Sequence, residues 1–250
     1  KKAIKYATID IGSNAIRLLI SNIYIHNSEQ FSTKNSLLRV PIRLGQDAFK
    51  SGEISKKNIS RLLDSMKSFK LLMKVHDVDK YLAFATSALR SSSNRDEIIS
   101  QIKKKANIKI EVISGKKEAR LITNNPAFSN INKSFCFIDV GGGSTELTLI
   151  KNNEVLISKS FKIGGVRLIN NLVNKSTWNK FGNWIENNLS NKRDIEVVAL
   201  GGNINKIFKL SGTKLGKPLS LELIDSTISD LEKMSFFDKM INLKLNPDRV

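Results

Sequence analysis

Several things are scarce in this 250-residue chain, and each scarcity excludes something. There is one cysteine, Cys136, inside the apolar run SFCFID. That excludes an internal disulfide framework and points to a buried thiol in a reducing, cytoplasmic compartment. The two histidines, His26 and His76, stand in polar surroundings far apart and lack metal-ligand spacing. With 4 prolines and no low-complexity tract, the composition is that of an ordinary globular protein, 40% hydrophobic and 26% charged. No apolar run approaches the ~18 residues of a membrane span, so no membrane partner is expected. The opening KKAIKYATID has neither the apolar core nor the small-residue cleavage site of a signal peptide. Acidic residues are few as well, 23 against 41 Lys and Arg, which leaves a net charge of +18. A polyanionic partner would suit that charge. Yet lysines outnumber arginines 31 to 10, and Asn and Ile are abundant, as AT-rich coding would produce regardless of function. Charge alone does not choose among nucleic acid, membrane and phosphate polymer.

What is present is a duplication. Residues 9–20 read IDIGSNAIRLLI and residues 138–150 read IDVGGGSTELTLI. Each copy is an apolar run ending in an aspartate, a Gly/Ser-rich turn and a second apolar run. Self-similarity at this separation indicates two related lobes, outside the short periods of solenoids and arrays. Asp10 and Asp139 end strands, where a carboxylate can hold a hydrated Mg²⁺. The turns carry glycines and small hydroxyls, so their N–H groups can approach phosphate oxygens closely. A lone D-x-G describes an ordinary strand-to-strand turn; the repeated flanking strands select the phosphate reading.

Strands are expected at 4–10, 15–24 and 31–41, as an antiparallel meander. Ile59, Leu62, Leu63, Met66, Phe69 and Met73 then fall on one helical face, with Ser55 as N-cap. YLAFAT (81–86) reads as a buried strand, IKIEVIS (108–114) as a fifth, and Gly115 precedes a helix opening at KKEARLI. Asn-Pro in NNPAF (124–128) marks a linker. The second half repeats the pattern with strands at 134–140, 144–150 and 154–163, a helix after Gly164–Gly165, a helix from Trp178 to Leu189, a strand at 196–202, and helices around 203–210 and 219–234. It ends at LNPDRV before a last strand comparable to IEVIS, so the second lobe reads as incomplete at its C-terminus. The expected division is 1–124 and 125–250. The expected fold class is α/β, and this doubled pattern resembles two ribonuclease-H-like, actin-like ATPase lobes, which implies a mixed five-stranded sheet in each and the site in the cleft between them.

Five segments, in order over nearly the whole chain, resemble the exopolyphosphatase / guanosine pentaphosphate phosphatase (Ppx/GppA) family, within the superfamily of actin, sugar kinases and heat-shock ATPases. They are TIDIGSNAIRLLI (8–20), ATSALRSSSN (85–94), IEVISGKKEARLI (110–122), IDVGGGSTEL (138–147) and ALGGNI (199–204). IDVGGGSTEL and ATSALR are specific; ALGG alone means little. The resemblance implies hydrolysis of a terminal phosphoanhydride, releasing phosphate from polyphosphate or pppGpp with Mg²⁺ or another divalent cation. Under it, Glu118 activates the attacking water, and Asp139 and Glu146 hold the cation. Asp10, Gly12, Ser13, Asn14 and Arg17 form the first phosphate loop, and Gly141, Gly142, Gly143 and Ser144 the second. Arg90 lines the phosphate channel. Nucleic acid is not an expected partner, and a homodimer is left open.

Elementary chemistry is consistent with these roles. Phosphoryl transfer needs in-line positioning and neutralisation of oxygen charge, and water needs a carboxylate to orient it and accept its proton. The chain departs from the family where two adjacent glutamates usually stand: here Lys117 precedes Glu118. The leading expectation is a phosphoanhydride hydrolase. One alternative is a catalytically weak regulator that binds polyphosphate or a nucleotide on the same fold. Another is an actin-like assembly protein or kinase, whose sign would be a nucleotide pocket around Gly201–Gly202.

Overall fold

The computed structural model describes residues 3–27, 29–123, 134–151, 154–190 and 195–245, so the linker expected at 124–128 and the boundary at 124/125 lie outside the described residues. The chain forms two compact units, residues 1–198 and 199–250. No helix among the described residues is long and apolar enough to cross a membrane.

The first unit begins with the expected meander: β1 (Ile4–Ile11), β2 (Ile16–His26) and β3 (Glu29–Val40). Strand alternation places Ala7, Ile9, Ile11, Ile16, Leu18 and Ile20 in the core. The residues between them, including the paired Asp10 and Arg17, take the other face. After α1 (Leu44–Lys50) comes α2 (Lys56–Val75), whose N-cap Ser55 accepts from the Asn58 amide. Its buried face is Leu62, Leu63, Met66, Phe69 and Met73, and Ile59, the first residue of the stripe read from the spacing, is partly buried against the same core.

β4 (Lys80–Ala85) runs parallel to β1, followed by α3 (Ser87–Ser91), α4 (Arg95–Ala106), β5 (Glu111–Val112) and α5 (Gly115–Thr123). The first sheet has the order β3-β2-β1-β4-β5. The strand expected over 108–114 shrinks to two paired residues. Ile108, Ile110 and Ile113 are buried all the same. Ile108 and Ile110 alternate as in a strand and Ile113 breaks that period, and most of the segment has no ladder partner.

The second meander is β6 (Ser134–Val140), β7 (Thr145–Lys151) and β8 (Glu154–Phe161), followed by α6 (Gly165–Ile169), α7 (Lys175–Leu189) and β9 (Ile195–Leu200). The sheet order β8-β7-β6-β9 repeats the first sheet position by position but has four strands among the described residues, against the five expected. Cys136, Leu147, Phe161 and Ile163 form its buried core under Phe181, Trp184 and Ile185 of α7. Phe161 meets the Phe181 ring edge-on at 5.1 Å. The second unit carries α8 (Gly202–Leu210), α9 (Leu221–Lys233) and α10 (Phe236–Ile241).

Candidate active site

The two glycine turns are built alike. In the β1–β2 turn the Gly12 amide donates to the Ala15 carbonyl at 3.2 Å; in the β6–β7 turn the Gly141 amide donates to the Ser144 carbonyl at 2.9 Å. Each thus closes over one four-residue loop, and the strand partners on either side correspond, Asp10 with Arg17 and Asp139 with Glu146. The loops also touch. A Cβ built on Gly142 would lie 3.0 Å from Ser13 Cβ and 3.6 Å from the Asn14 nitrogen. Ser13 is buried, shares a 2.8 Å hydrogen bond with the Ser87 hydroxyl, and accepts the Gly45 amide at its carbonyl. Gly143 is pressed against Phe49 of α1: an added Cβ would fall 2.2 Å from the ring edge and 2.6 Å from Ser87 Oγ.

That contact makes Gly143→Ala a stability test. Overpacking typically costs about 1–3 kcal/mol, so the variant should melt lower than wild type. Gly182 of α7 meets nothing within 4 Å. Gly182→Ala should therefore melt higher, by up to about 1 kcal/mol from helix propensity. Melting curves of the two variants should depart from wild type in opposite directions.

The carboxylates gather beside the loops. Glu118 lies in the first turn of α5, and its Oε2 is 3.5 Å from Arg90 Nη1, which also donates to the Ile113 carbonyl at 2.7 Å. Burial, reinforced by the negative charge of Glu146, pushes Glu118 up to about 7; Arg90 acts against the rise and Asp139 adds to it. Asp139 is pushed up to about 6 by burial first, then by Glu146 and Asp10, with Arg17 opposing. These mutual influences bring Glu118, Asp139, Glu146 and Asp10 into one electrostatic neighbourhood. Glu146 is 4% exposed and accepts the Ser160 hydroxyl at 2.8 Å. A Cβ on Gly115, at the start of α5, would lie 3.0 Å from Ser160 Cβ, so a side chain there would crowd the approach of α5 to β8.

Arg17 is committed to Asp10, Nη1 to Oδ2 at 2.6 Å, and does not stand free. Lys117, the departure from the family pattern, is held by Glu111 and lies 5.5 Å from the Phe84 ring centroid. Its charge is spent on that contact beside the site. Among the described residues no group of three or more His, Cys, Asp or Glu is arranged to hold a metal. Asp139 and Glu146, adjacent across the β6–β7 ladder, are a two-carboxylate set that would need water or substrate oxygens to complete a shell.

Sequence reading missed Phe49, Ser87, Ser160 and Arg167. Phe49 and Ser87 sit on short helices with too few apolar positions to show a period. Ser160 is identified only through register, opposite Glu146. Arg167 had one signal, its place just after the Gly164–Gly165 break that matches the turn into α1.

The sequence profile of the Ppx/GppA phosphatase family matches residues 30–193. A bifunctional 3-dehydroquinate synthase/phosphatase of Fusobacterium nucleatum is 30% identical over 96% of this chain and 38% of its own length. Exopolyphosphatase 1 of Mycobacterium leprae is 28% identical over 66% of this chain and 48% of its own. The chain thus spans less than half the length of these curated relatives. The crystal structure of an exopolyphosphatase from Cytophaga hutchinsonii superposes with a TM-score of 0.79 at 25% identity, covering 98% of this chain and 85% of that one. The Aquifex aeolicus member of the Ppx/GppA family superposes with a TM-score of 0.74 at 23% identity, over 99% of this chain and 85% of that one, a likeness of fold.

Proposed function

The chain belongs to the Ppx/GppA phosphatase family, and we propose that it is a phosphoanhydride hydrolase removing the terminal phosphate of polyphosphate or of guanosine pentaphosphate. The observation that carries this reading is Glu118: a carboxylate raised to about 7, beside two further carboxylates and two touching glycine loops. A base with its pKa near the working pH combines availability with driving force. Glu118 takes the proton of a water in line with the terminal phosphorus. The loops at 12–15 and 141–144 position the phosphates, and Ser13 and Ser144, both buried, keep bulk water from their backs. Asp139 and Glu146 would hold Mg²⁺ or another divalent cation, which when bound supplies charge neutralisation at the phosphate oxygens. The donor set fits: hard oxygen ligands, repelling one another, too few to encage the ion without substrate.

Phosphate release from long-chain polyphosphate, pppGpp and ATP, measured side by side with Mg²⁺ and with EDTA, tests the reading. Release from one of the first two, abolished by EDTA, is expected. Binding without turnover would instead favour the regulator. Arg90→Ala should raise KM, as a contact of equal strength in ground and transition states does. It should also move the acid limb of the pH–rate profile upward, because Arg90 is the group holding Glu118 down. An unshifted limb would mean that the 3.5 Å pair is not kept in solution.

A second reading, a nucleotide-dependent kinase or assembly protein, draws on one observation. A cavity of about 240 Å³ opens in the second unit beside Gly202, with Lys206 and Lys239 among apolar Ile207, Leu210 and Leu231. Direct ATP and ADP binding measurements discriminate: nucleotide affinity lost in Leu210→Trp would support it, and no affinity would leave the hydrolase.

A further inference from the structure

Three arginines of this protein stand against a carboxylate. Arg17 pairs with Asp10, Arg90 with Glu118 and Arg95 with Asp96. Arg167 differs. Its Nε donates to the Gly143 carbonyl at 2.8 Å, and its guanidinium carbon lies 3.9 Å from the centroid of the Phe49 ring. Among the described residues it is in no ion pair. Arg167 is half-buried, and this partial loss of water lowers its pKa. Removing a charge from water unpaired is costly, and such groups are normally matched by a counter-charge or a ligand.

The location says which ligand. Phe49 belongs to α1 of the first sheet's half and Gly143 to the glycine turn of the second, so the guanidinium stands at the seam where the two loops touch. One face of the plane is covered by the ring and Nε is spent on the carbonyl; the terminal nitrogens are not bonded to any described residue. A guanidinium held by stack and Nε presents a planar fork suited to phosphate oxygens. Pinning the Gly143 carbonyl has a second effect. In a trans peptide the C=O and N–H point in opposite directions, so the bond from Arg167 turns the Ser144 N–H away from the arginine.

Resting on the phosphoanhydride reading above, we propose that Arg167 is a phosphate-binding residue, completing with Phe49 and the 141–144 turn an anion subsite for a non-transferred phosphate of the substrate chain. It neutralises an oxygen next to the one being transferred and holds the Gly143–Ser144 peptide in place.

The test is tripolyphosphate affinity by calorimetry together with phosphate-release kinetics, on wild type, Arg167→Ala, Arg167→Lys and Phe49→Leu, each checked for folding by thermal melting. Loss of charge-assisted hydrogen bonds should weaken tripolyphosphate binding about 10- to 100-fold in Arg167→Ala. KM should rise more than kcat falls. Arg167→Lys keeps the charge but not the fork, and should lie between. Phe49→Leu, which loosens the guanidinium plane, should weaken binding less than Arg167→Ala. Guanidinium chloride should restore part of the loss in Arg167→Ala, whereas sodium chloride of equal ionic strength should not. A folded Arg167→Ala with wild-type affinity overturns the subsite, as does a loss that guanidinium cannot restore, which would be structural, or a wild type that binds no tripolyphosphate. A wild type that binds tripolyphosphate but releases no phosphate would defeat the hydrolase reading alone, and the affinity ratio would still decide the subsite.

Discussion

Glu118→Gln is expected to lower turnover on the preferred phosphoanhydride by on the order of 10²–10⁴-fold, the usual cost of removing a general base. Ligand affinity should hold or rise. The amide keeps the shape of the carboxylate and removes a negative charge from a site that already holds Glu146 and Asp139 nearby. Parallel kcat and Kd measurements on polyphosphate and pppGpp check this. Wild-type turnover on both would remove Glu118 from the chemistry.

The same residue sets a pH signature. A carboxylate whose folded pKa is raised contributes stability that is fully present below its unfolded value and lost as pH rises through the folded value. For Glu118 that window runs from about 4.5 to about 7. The metal-free protein should therefore lose stability across it, by at most about 3.5 kcal/mol from this group at ~1.4 kcal/mol per unit. Glu118→Gln should melt above wild type at pH 8, and the gap should close near pH 4.5. In kinetics, kcat/KM of the wild type should rise with pH along a limb set by Glu118.

Much of this site was legible because the chain says it twice. The duplicated strand, aspartate and glycine turn fixed both loops, and the structure returns the same amide-to-carbonyl closure in each, from Gly12 and from Gly141. The α2 face was legible because twenty residues give a helical period time to establish itself. Close approach was not legible. That Gly143 abuts Phe49, or that Gly142 meets Ser13, follows from two segments far apart in sequence packing together. No local period encodes such a meeting. The role of Ser160 depends on a ladder register shifted by an irregularity near Leu149, which sequence alternation cannot locate. Lys117 shows the converse. It stood out as a change of charge beside the base, yet its ammonium is committed to Glu111.

Asp139→Asn should fail differently from Glu118→Gln, and the contrast separates the ion from the base. Asp139 stands opposite Glu146 in the β6–β7 ladder and is pushed up to about 6 by burial and by its acidic neighbours. A buried carboxylate repelled by others is poised to accept a cation. Binding one relieves the repulsion that raises both it and Glu118. Replacing Asp139 by an amide removes an anionic ligand to a hard ion. The Mg²⁺ concentration for half-maximal rate should rise by about tenfold or more, with activity falling alongside, since second-shell or ligand changes typically cost 10–100-fold in metal affinity. Asp139 is also one of the groups raising Glu118. Its loss should therefore move the acid limb of the pH–rate profile downward, opposite to the shift expected from Arg90→Ala. In wild type, saturating Mg²⁺ should move the limb the same way, and it should raise the melting temperature more at pH 8 than at pH 5. Glu118→Gln, which keeps both ladder carboxylates, should retain a Mg²⁺ response of the melting temperature, with a smaller difference between pH 8 and pH 5. If Asp139→Asn keeps the wild-type Mg²⁺ requirement at every pH tested, the cation is held elsewhere and the ladder pair Asp139–Glu146 is not its site.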